Sequence, residues 1–308
     1  TPSVYDFCVR PKIAAEMNHH DDQLNHRLLR ILGAKVVSTN PLAVGFGLTG
    51  IVATLDDGRR VVTKTRTNDS PSGPSLVLEG TMLADLARRS QLPVPHVYAA
   101  NTDLLVMDYI ANDGGPITPE AERHAASLIA QLHSDPRAYF GYEWDTLIGP
   151  LHQPNPPTEC WVPFFRDHRL LYMANAAQAE GALPRDLHKR LERLAEGLDA
   201  YLTEPSHPSL LHGDLWTGNV LTQGKRITGM IDPAIYYGHP EIELAFTTMF
   251  GTFGRPFFEA YGAILPIEPG FHELRRDIYN LYPTLVHVRL FGDGYLARIE
   301  QTVAKLGL

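Results

Sequence analysis

Apolar residues fall mainly in short β-type runs before residues 111–116 and mainly at helical spacing after them, and that change limits the folds open to this chain. On the N-terminal side, short β-type runs dominate: Val36-Val37, Ile51-Val52-Ala53-Thr54-Leu55 and Arg60-Val61-Val62-Thr63-Lys64-Thr65. Asp56-Asp57-Gly58 between the last two is a hairpin signal. Leu104-Leu105-Val106-Met107 reads as another buried strand. A helix is expected over 76–90, with Leu76, Leu78, Leu83 and Leu86 as its apolar positions, and another over 21–32, closed by Gly33. Residues 68–75 read as a loop. After Ala111-Asn112-Asp113-Gly114-Gly115-Pro116 the spacing becomes mostly helical. Thr118 and Pro119 supply the N-cap and first position of a helix reaching His133. Further helices are expected near 161–177, 184–203, 240–250, 255–262, 270–292 and 293–306. Residues 142–160 read as a long irregular loop, and strands near 219–222 and 226–231 flank the turn Gln223-Gly224-Lys225. The expected architecture is α+β in two lobes. A small β-rich lobe with the 76–90 helix takes residues 1–110, and a larger α-helical lobe takes 111–308.

Composition removes several function classes. A net charge of -8 argues against general nucleic-acid binding, which needs a basic surface, but leaves room for a nucleotide in a local basic pocket. Cys8 and Cys160 are the two cysteines, too few and too far apart for a disulfide framework, so a reducing cytoplasm fits. No apolar run reaches membrane-spanning length, and Asp6, Arg10, Lys12 and Glu16 interrupt any signal-peptide core. A cytoplasmic monomer with no membrane or nucleic-acid partner is expected. Most of the fourteen histidines are isolated. The run His19-His20-Asp21-Asp22 suggests a metal hydrolase, but adjacent helical residues point in different directions and chelate poorly.

Three acceptor-bearing residues carry the chemistry. Asp214 precedes Asn219 by five positions, and Asp232 follows Asn219 by thirteen, at the end of the apolar run from Ile227 to Ile231. Phosphoryl transfer from ATP needs this inventory: a carboxylate to accept a hydroxyl proton, plus an amide oxygen and a second carboxylate to hold Mg2+. Asp and Asn also favour plain turns, but the flanking His212-Gly213 and Asp232-Pro233 make that reading the poorer one. The N-terminal part offers partners. Gly45, Gly47 and Gly50 form a G-x-G-x-x-G run between strands, with no helix pattern after it, so a phosphate-covering hairpin fits better than a dinucleotide-binding fold. Lys64 can reach phosphates from the next strand, and Glu79 on the 76–90 helix can pair with it. An exposed strand Lys and a solvated helix Glu are the plainer alternatives.

These residues resemble the protein-kinase-like fold in its small-molecule form, as in aminoglycoside phosphotransferases and choline kinases. A closer resemblance is to the fructosamine kinase (ketosamine 3-kinase) family. Its HGDLWxGN segment is matched by His212-Gly213-Asp214-Leu215-Trp216-Thr217-Gly218-Asn219, and its DPA triplet by Asp232-Pro233-Ala234, followed by Tyr236-Tyr237-Gly238. Its QPN…W…FF…RL stretch is matched by Gln153-Pro154-Asn155, Trp161, Phe164-Phe165 and Arg169-Leu170. Its C-terminal pattern is matched by Tyr279-Asn280-Leu281-Tyr282 and Leu290-Phe291-Gly292-Asp293-Gly294-Tyr295. The chain departs from the family at His239-Pro240-Glu241-Ile242-Glu243-Leu244-Ala245, and at Thr217 where Ser is commoner. The glycine-rich run has no Cys, so redox-linked dimers known in some relatives are not carried over.

The resemblance implies an ATP- and Mg2+-dependent kinase acting on the 3-hydroxyl of ribulosamines or fructosamines, on amino acids or protein lysines, leading to deglycation. Asp214 would be the base, Asn219 and Asp232 the metal ligands, and Lys64 with Glu79 the phosphate-side pair. Backbone at Val106, Met107, Asp108 and Tyr109 would bind adenine, and Trp216 and His287 would lie on the substrate side. His212 is expected to brace the loop. The alternatives are an aminoglycoside- or choline-type phosphotransferase, or a non-catalytic nucleotide-binding protein of the same fold.

Overall fold

The computed structural model describes residues 23–66 and 73–308. Cys8 and residues 19–22 lie outside the described residues, as do most of the loop expected at 68–75 and the start of the helix expected at 21–32. Two compact units form. One takes residues up to Gly80 together with His96–Tyr109, and the other takes Thr81–Pro95 together with Ile110–Leu308.

The first unit is built on a five-stranded antiparallel sheet of β1 (Val36–Leu42), β2 (Leu48–Leu55), β3 (Arg60–Arg66), β4 (Val97–Ala100) and β5 (Leu104–Asp108). Its spatial order is β1-β2-β3-β5-β4. Strand alternation sorts the side chains onto two faces. Ala53, Leu55, Val61, Leu104 and Val106 share one face and bury it under Leu24, Leu28 and Leu32 of α1 (residues 23–32). Lys64 falls on the other face, opposite Gly50 on β2 and Leu105 on β5. The register therefore keeps Lys64 out of the α1 core. Helix α2 (Leu76–Arg89) intervenes in sequence between β3 and β4 and is divided between the two units after Gly80.

The second unit is mainly helical. Thr118 caps α3 (Pro119–His133), its hydroxyl accepting from the Ala121 N–H at 3.2 Å. A single turned rod follows: α4 (Trp161–Phe165), a π-turn over Arg166–Leu170, and α5 (Leu171–Ala179). The remaining helices are α6 (Arg185–Glu196), α7 (Pro240–Met249), α8 (Arg255–Ile264), α9 (Arg276–Tyr279), α10 (Leu281–Phe291) and α11 (Leu296–Lys305). Their apolar faces meet around Trp161, Phe164, Phe165, Leu210, Leu211 and Tyr236, all buried. Each such side chain contributes on the order of 2 kcal/mol by leaving water.

Three two-stranded pairs are set into this helical body. The irregular loop expected at 142–160 contains one of them, β6 (Thr146–Ile148) with β7 (Leu151–Gln153). Another joins β8 (Ser209–Leu211) to β11 (Tyr236–Gly238), and the hairpin expected at 219–231 is β9 (Val220–Gln223) with β10 (Arg226–Met230). Three-residue strands carry too little alternation to be read from sequence, which explains why β6, β7, β8 and β11 were not foreseen. No described helix is long and apolar enough to cross a membrane.

Candidate active site

The β8–β11 pair brings the separated acidic residues together. The segment His212–Asn219 leaves the end of β8, and Asp232 lies just before β11, which runs back alongside β8. The β9–β10 hairpin absorbs the residues between. Two backbone bonds fasten the junction: Ile231 N–H donates to Asn219 O at 3.0 Å, and Ala234 N–H donates to His212 O at 2.8 Å. The thirteen-residue spacing is thus closed by one hairpin.

Asn219 holds the loop around Asp214. Its Nδ2 donates to the Asp214 carbonyl and to Asp214 Oδ2, each at 2.9 Å. This orientation turns Oδ1 away from Asp214 and leaves it as an oxygen donor. Desolvation pushes the Asp214 carboxyl up to about 8; the Asp232 charge adds to that rise, and the Asn219 amide opposes it. A carboxyl raised towards neutrality is suited to accepting a proton there. His212 is buried, and burial keeps its ring neutral. Its Nδ1 accepts the Asp214 N–H at 3.3 Å, so it braces the loop.

Behind the loop lies support that sequence reasoning missed. The Gly213 N–H donates to Glu243 Oε1 of α7 at 2.6 Å. Glu243 Oε2 lies 2.8 Å from His133 Nε2, whose other ring nitrogen lies 2.9 Å from the Tyr261 hydroxyl. All three side chains are buried. Glu243 falls in the stretch where the chain departs from the family pattern, and a helical Glu gives no local sign that it faces inward.

An aromatic wall flanks the loop. Trp216 is 40% exposed, which excludes plain core packing. Its ring lies over Gly218 and meets Phe250 edge-on at 5.9 Å. His287 continues the wall, with ring centroids 5.1 Å from Phe250, 5.3 Å from Phe291 and 5.0 Å from Tyr295. His287 Nδ1 lies 2.7 Å from the Pro283 carbonyl and must donate to it, so Nε2 is the acceptor in the neutral ring. Phe250 belongs to no motif and had no sequence signal. A cavity of about 510 Å3 elsewhere in this unit, lined by Thr248, Met249, Asn280 and Arg298 among others, contains none of these acidic or aromatic candidates.

In the first unit, Lys64 Nζ donates to Glu79 Oε1 at 2.7 Å, and both side chains are largely buried. The face taken by Glu79, open in the sequence, is therefore the one towards Lys64. Gly50 is required by close approach: a Cβ there would meet Leu42 O at 2.6 Å. Gly45 and Gly47 lie in the β1–β2 turn. Along β5, the Val106 side chain points into the α1 core and Met107 to the opposite face. The Asp108 carboxylate accepts from the Tyr98 hydroxyl at 2.7 Å and the His96 N–H at 3.3 Å, and the Tyr109 ring stacks on Arg60. The backbone of this stretch is engaged as well: the Asp108 N–H donates to His96 O at 2.9 Å and the Tyr109 N–H to Arg60 O at 3.1 Å.

Hard oxygen donors from Asn219 and Asp232 fit Mg2+, which is bound through few protein ligands plus phosphates and water. The described residues contain no group of three or more His, Cys, Asp or Glu able to hold a metal alone.

Comparison with known proteins decides the family. Residues 36–307 match the fructosamine kinase family. The chain belongs to that family. A protein named as a probable ketoamine kinase in Synechocystis sp. is 37% identical over 224 residues, covering 71% of this chain and 73% of the relative. The chloroplastic protein-ribulosamine 3-kinase of Arabidopsis thaliana is 30% identical over 302 residues, covering 94% and 89%. The crystal structure of a family member from Thermobifida fusca superposes with a TM-score of 0.80 at 31% identity, covering 91% of this chain and 96% of that one. Macrolide 2'-phosphotransferase type I, with a TM-score of 0.61 at 19% identity over 92% and 96% of the chains, shares the fold. The architecture is thus protein-kinase-like and α+β. Within the family frame, the matched Gln153, Asn155 and Arg169 side chains are buried, while Pro154 between them is half-buried.

Proposed function

We propose that this chain transfers the γ-phosphoryl group of ATP to the 3-hydroxyl of a ketosamine, a ribulosamine or fructosamine carried on an amino acid or a protein lysine. The observation that carries the reading is Asp214, tethered by Asn219 beside Asp232, in a member of the fructosamine kinase family. The substrate oxygen forms a bond to the γ-phosphorus as the bond to the ADP oxygen breaks. The hydroxyl proton passes to Asp214 late in the transfer. Asn219 Oδ1 and the Asp232 carboxylate hold Mg2+, which when bound neutralises phosphate charge. Trp216 stacks on the sugar or its amine substituent, and His287 Nε2 accepts from a substrate hydroxyl or N–H. The phosphorylated product then decomposes and releases the amine, completing deglycation. An ATP-supplied compartment such as the cytoplasm suits this reaction.

The deciding assay offers Mg-ATP with ribuloselysine, fructoselysine, an aminoglycoside and choline. Turnover is expected on one or both ketosamines and on neither other acceptor. Phosphorylation of the aminoglycoside alone would sink the assignment.

Lys64 is the phosphate-binding cation of this reading, oriented by Glu79. Lys64→Met should lower kcat/KM for ATP by about 10²-fold, the loss usual for one preorganised group stabilising transferred charge. Glu79→Gln keeps the hydrogen bond without the charge, so it should lose less. Steady-state kinetics with varied ATP reads both, and an unchanged Lys64→Met would remove Lys64 from the site.

A further inference from the structure

Asp232 has φ 52°, the left-handed region that a residue with a side chain enters at a cost of about 1–3 kcal/mol. Such a conformation persists only where its surroundings over-determine it. Before Asp232, Met230 N–H donates to Pro93 O at 2.7 Å and Ile231 N–H to Asn219 O at 3.0 Å. After it, Ala234 N–H donates to His212 O at 2.8 Å. The carbonyls that follow are taken by two buried side chains of the β6–β7 hairpin. Gln153 Nε2 donates to Ala234 O at 3.1 Å, and Thr146 Oγ1 donates to Ile235 O at 3.1 Å.

These two side chains have their own fixed partners. Gln153 Nε2 also donates to Thr146 Oγ1 at 2.8 Å, and Gln153 Oε1 accepts the Tyr282 hydroxyl at 2.6 Å. Thr146 Oγ1 further accepts from Asn155 Nδ2 at 2.8 Å, and Asn155 Oδ1 accepts from Arg169 Nη2 at 2.6 Å. Arg169 lies against the Tyr236 ring at 3.9 Å. The Thr146 hydroxyl uses its one donor and both acceptor sites, and both Gln153 amide hydrogens are used. Buried polar groups satisfied this fully fix one arrangement of the backbone they touch.

We propose that Gln153, seconded by Thr146, is a positioning residue that holds the Asp232–Ile235 backbone in place and so sets the grip of Asp232 on Mg2+. This rests on the metal-ligand role given to Asp232 above. Gln153 touches neither substrate nor metal. It acts through Ala234.

The test uses Gln153→Leu, with Tyr282→Phe as a milder variant that removes only the bond to Oε1. Val303→Ala, a buried change in α11, serves as a stability control. Mg2+ is titrated calorimetrically into each protein saturated with a non-hydrolysable ATP analogue, which needs no acceptor. Hydrogen exchange of the peptide around Ala234 is followed without nucleotide. Gln153→Leu should weaken Mg2+ binding by about tenfold or more, as losses behind a metal ligand commonly do, and should speed exchange of the Ala234 amide. Val303→Ala, matched for lost melting temperature, should change neither. A folded Gln153→Leu that binds Mg2+ within twofold of the wild type overturns the proposal, as does an equal loss in Val303→Ala. If Gln153→Leu fails to fold, Tyr282→Phe is read by the same two measurements, and unchanged values there overturn it. A wild-type protein that shows Mg2+-dependent analogue binding but no ketosamine turnover refutes the substrate reading alone.

Discussion

Asp214→Asn is expected to lower kcat on the preferred ketosamine by about 10²–10⁴-fold, the range associated with a lost general base. An amide of the same shape can still accept the Asn219 Nδ2 hydrogen bond that now reaches Asp214 Oδ2. It cannot accept the substrate proton. The argument extends to stability with the opposite sign. Desolvation and the Asp232 charge both disfavour the ionised carboxylate at position 214, so folding is carried out against that repulsion. A neutral side chain relieves it, and the variant should melt at the same temperature as the wild type or higher. Function and stability would then oppose one another at one residue, as is common where a site is kept strained for chemistry. The measurement pairs single-turnover kinetics with a thermal melt. A variant that turns over within threefold of the wild type would remove Asp214 from the role of base.

What could be read from the sequence was what chemistry ties to local spacing. The His212–Asn219 segment and Asp232 were legible because a loop and one hairpin are enough to place them, and the apolar run before Asp232 announces its strand. Lys64 was legible through the β2–β3 hairpin, and the fold class through the change from strand-like to helical patterning. The rest depends on contacts no local pattern encodes. His133 and Glu243 are 110 positions apart, yet together they brace the Gly213 amide. Phe250 enters the aromatic wall only because α7 ends beside Trp216. The Gln153-Pro154-Asn155 stretch carries part of the family resemblance. Its Gln153 is buried and donates to Ala234 O, while Thr146 of the paired strand donates to Ile235 O. A motif recognised by identity alone does not say whether it faces the substrate or the backbone behind it.

Gly213→Ala should be the most damaging of the conservative changes near the site. At φ 83° an added side chain costs about 1–2 kcal/mol in backbone strain alone. Its Cβ would also stand 2.1 Å from Ala234 O and 2.7 Å from Ala234 C. These are backbone atoms, and Ala234 cannot withdraw: its N–H is bonded to His212 O at 2.8 Å and its carbonyl to Gln153 at 3.1 Å. Overpacking against a pinned backbone adds about 1–3 kcal/mol, so the whole loss is on the order of 3 kcal/mol. For a chain of this size that lowers the melting temperature by roughly 5 °C. Gly224→Ala separates the two contributions. Gly224 has φ 59° in the β9–β10 turn, and nothing lies within 4 Å of a Cβ built on it. It should lose only the strain, about 1 kcal/mol, and keep its turnover. Thermal melts and kcat for the pair therefore report on the contact between the loop and Ala234. If Gly213→Ala and Gly224→Ala melt together and both retain activity, that contact does not hold Asp214 and Asp232 in register, and the loop must be positioned through the Glu243–His133 brace instead.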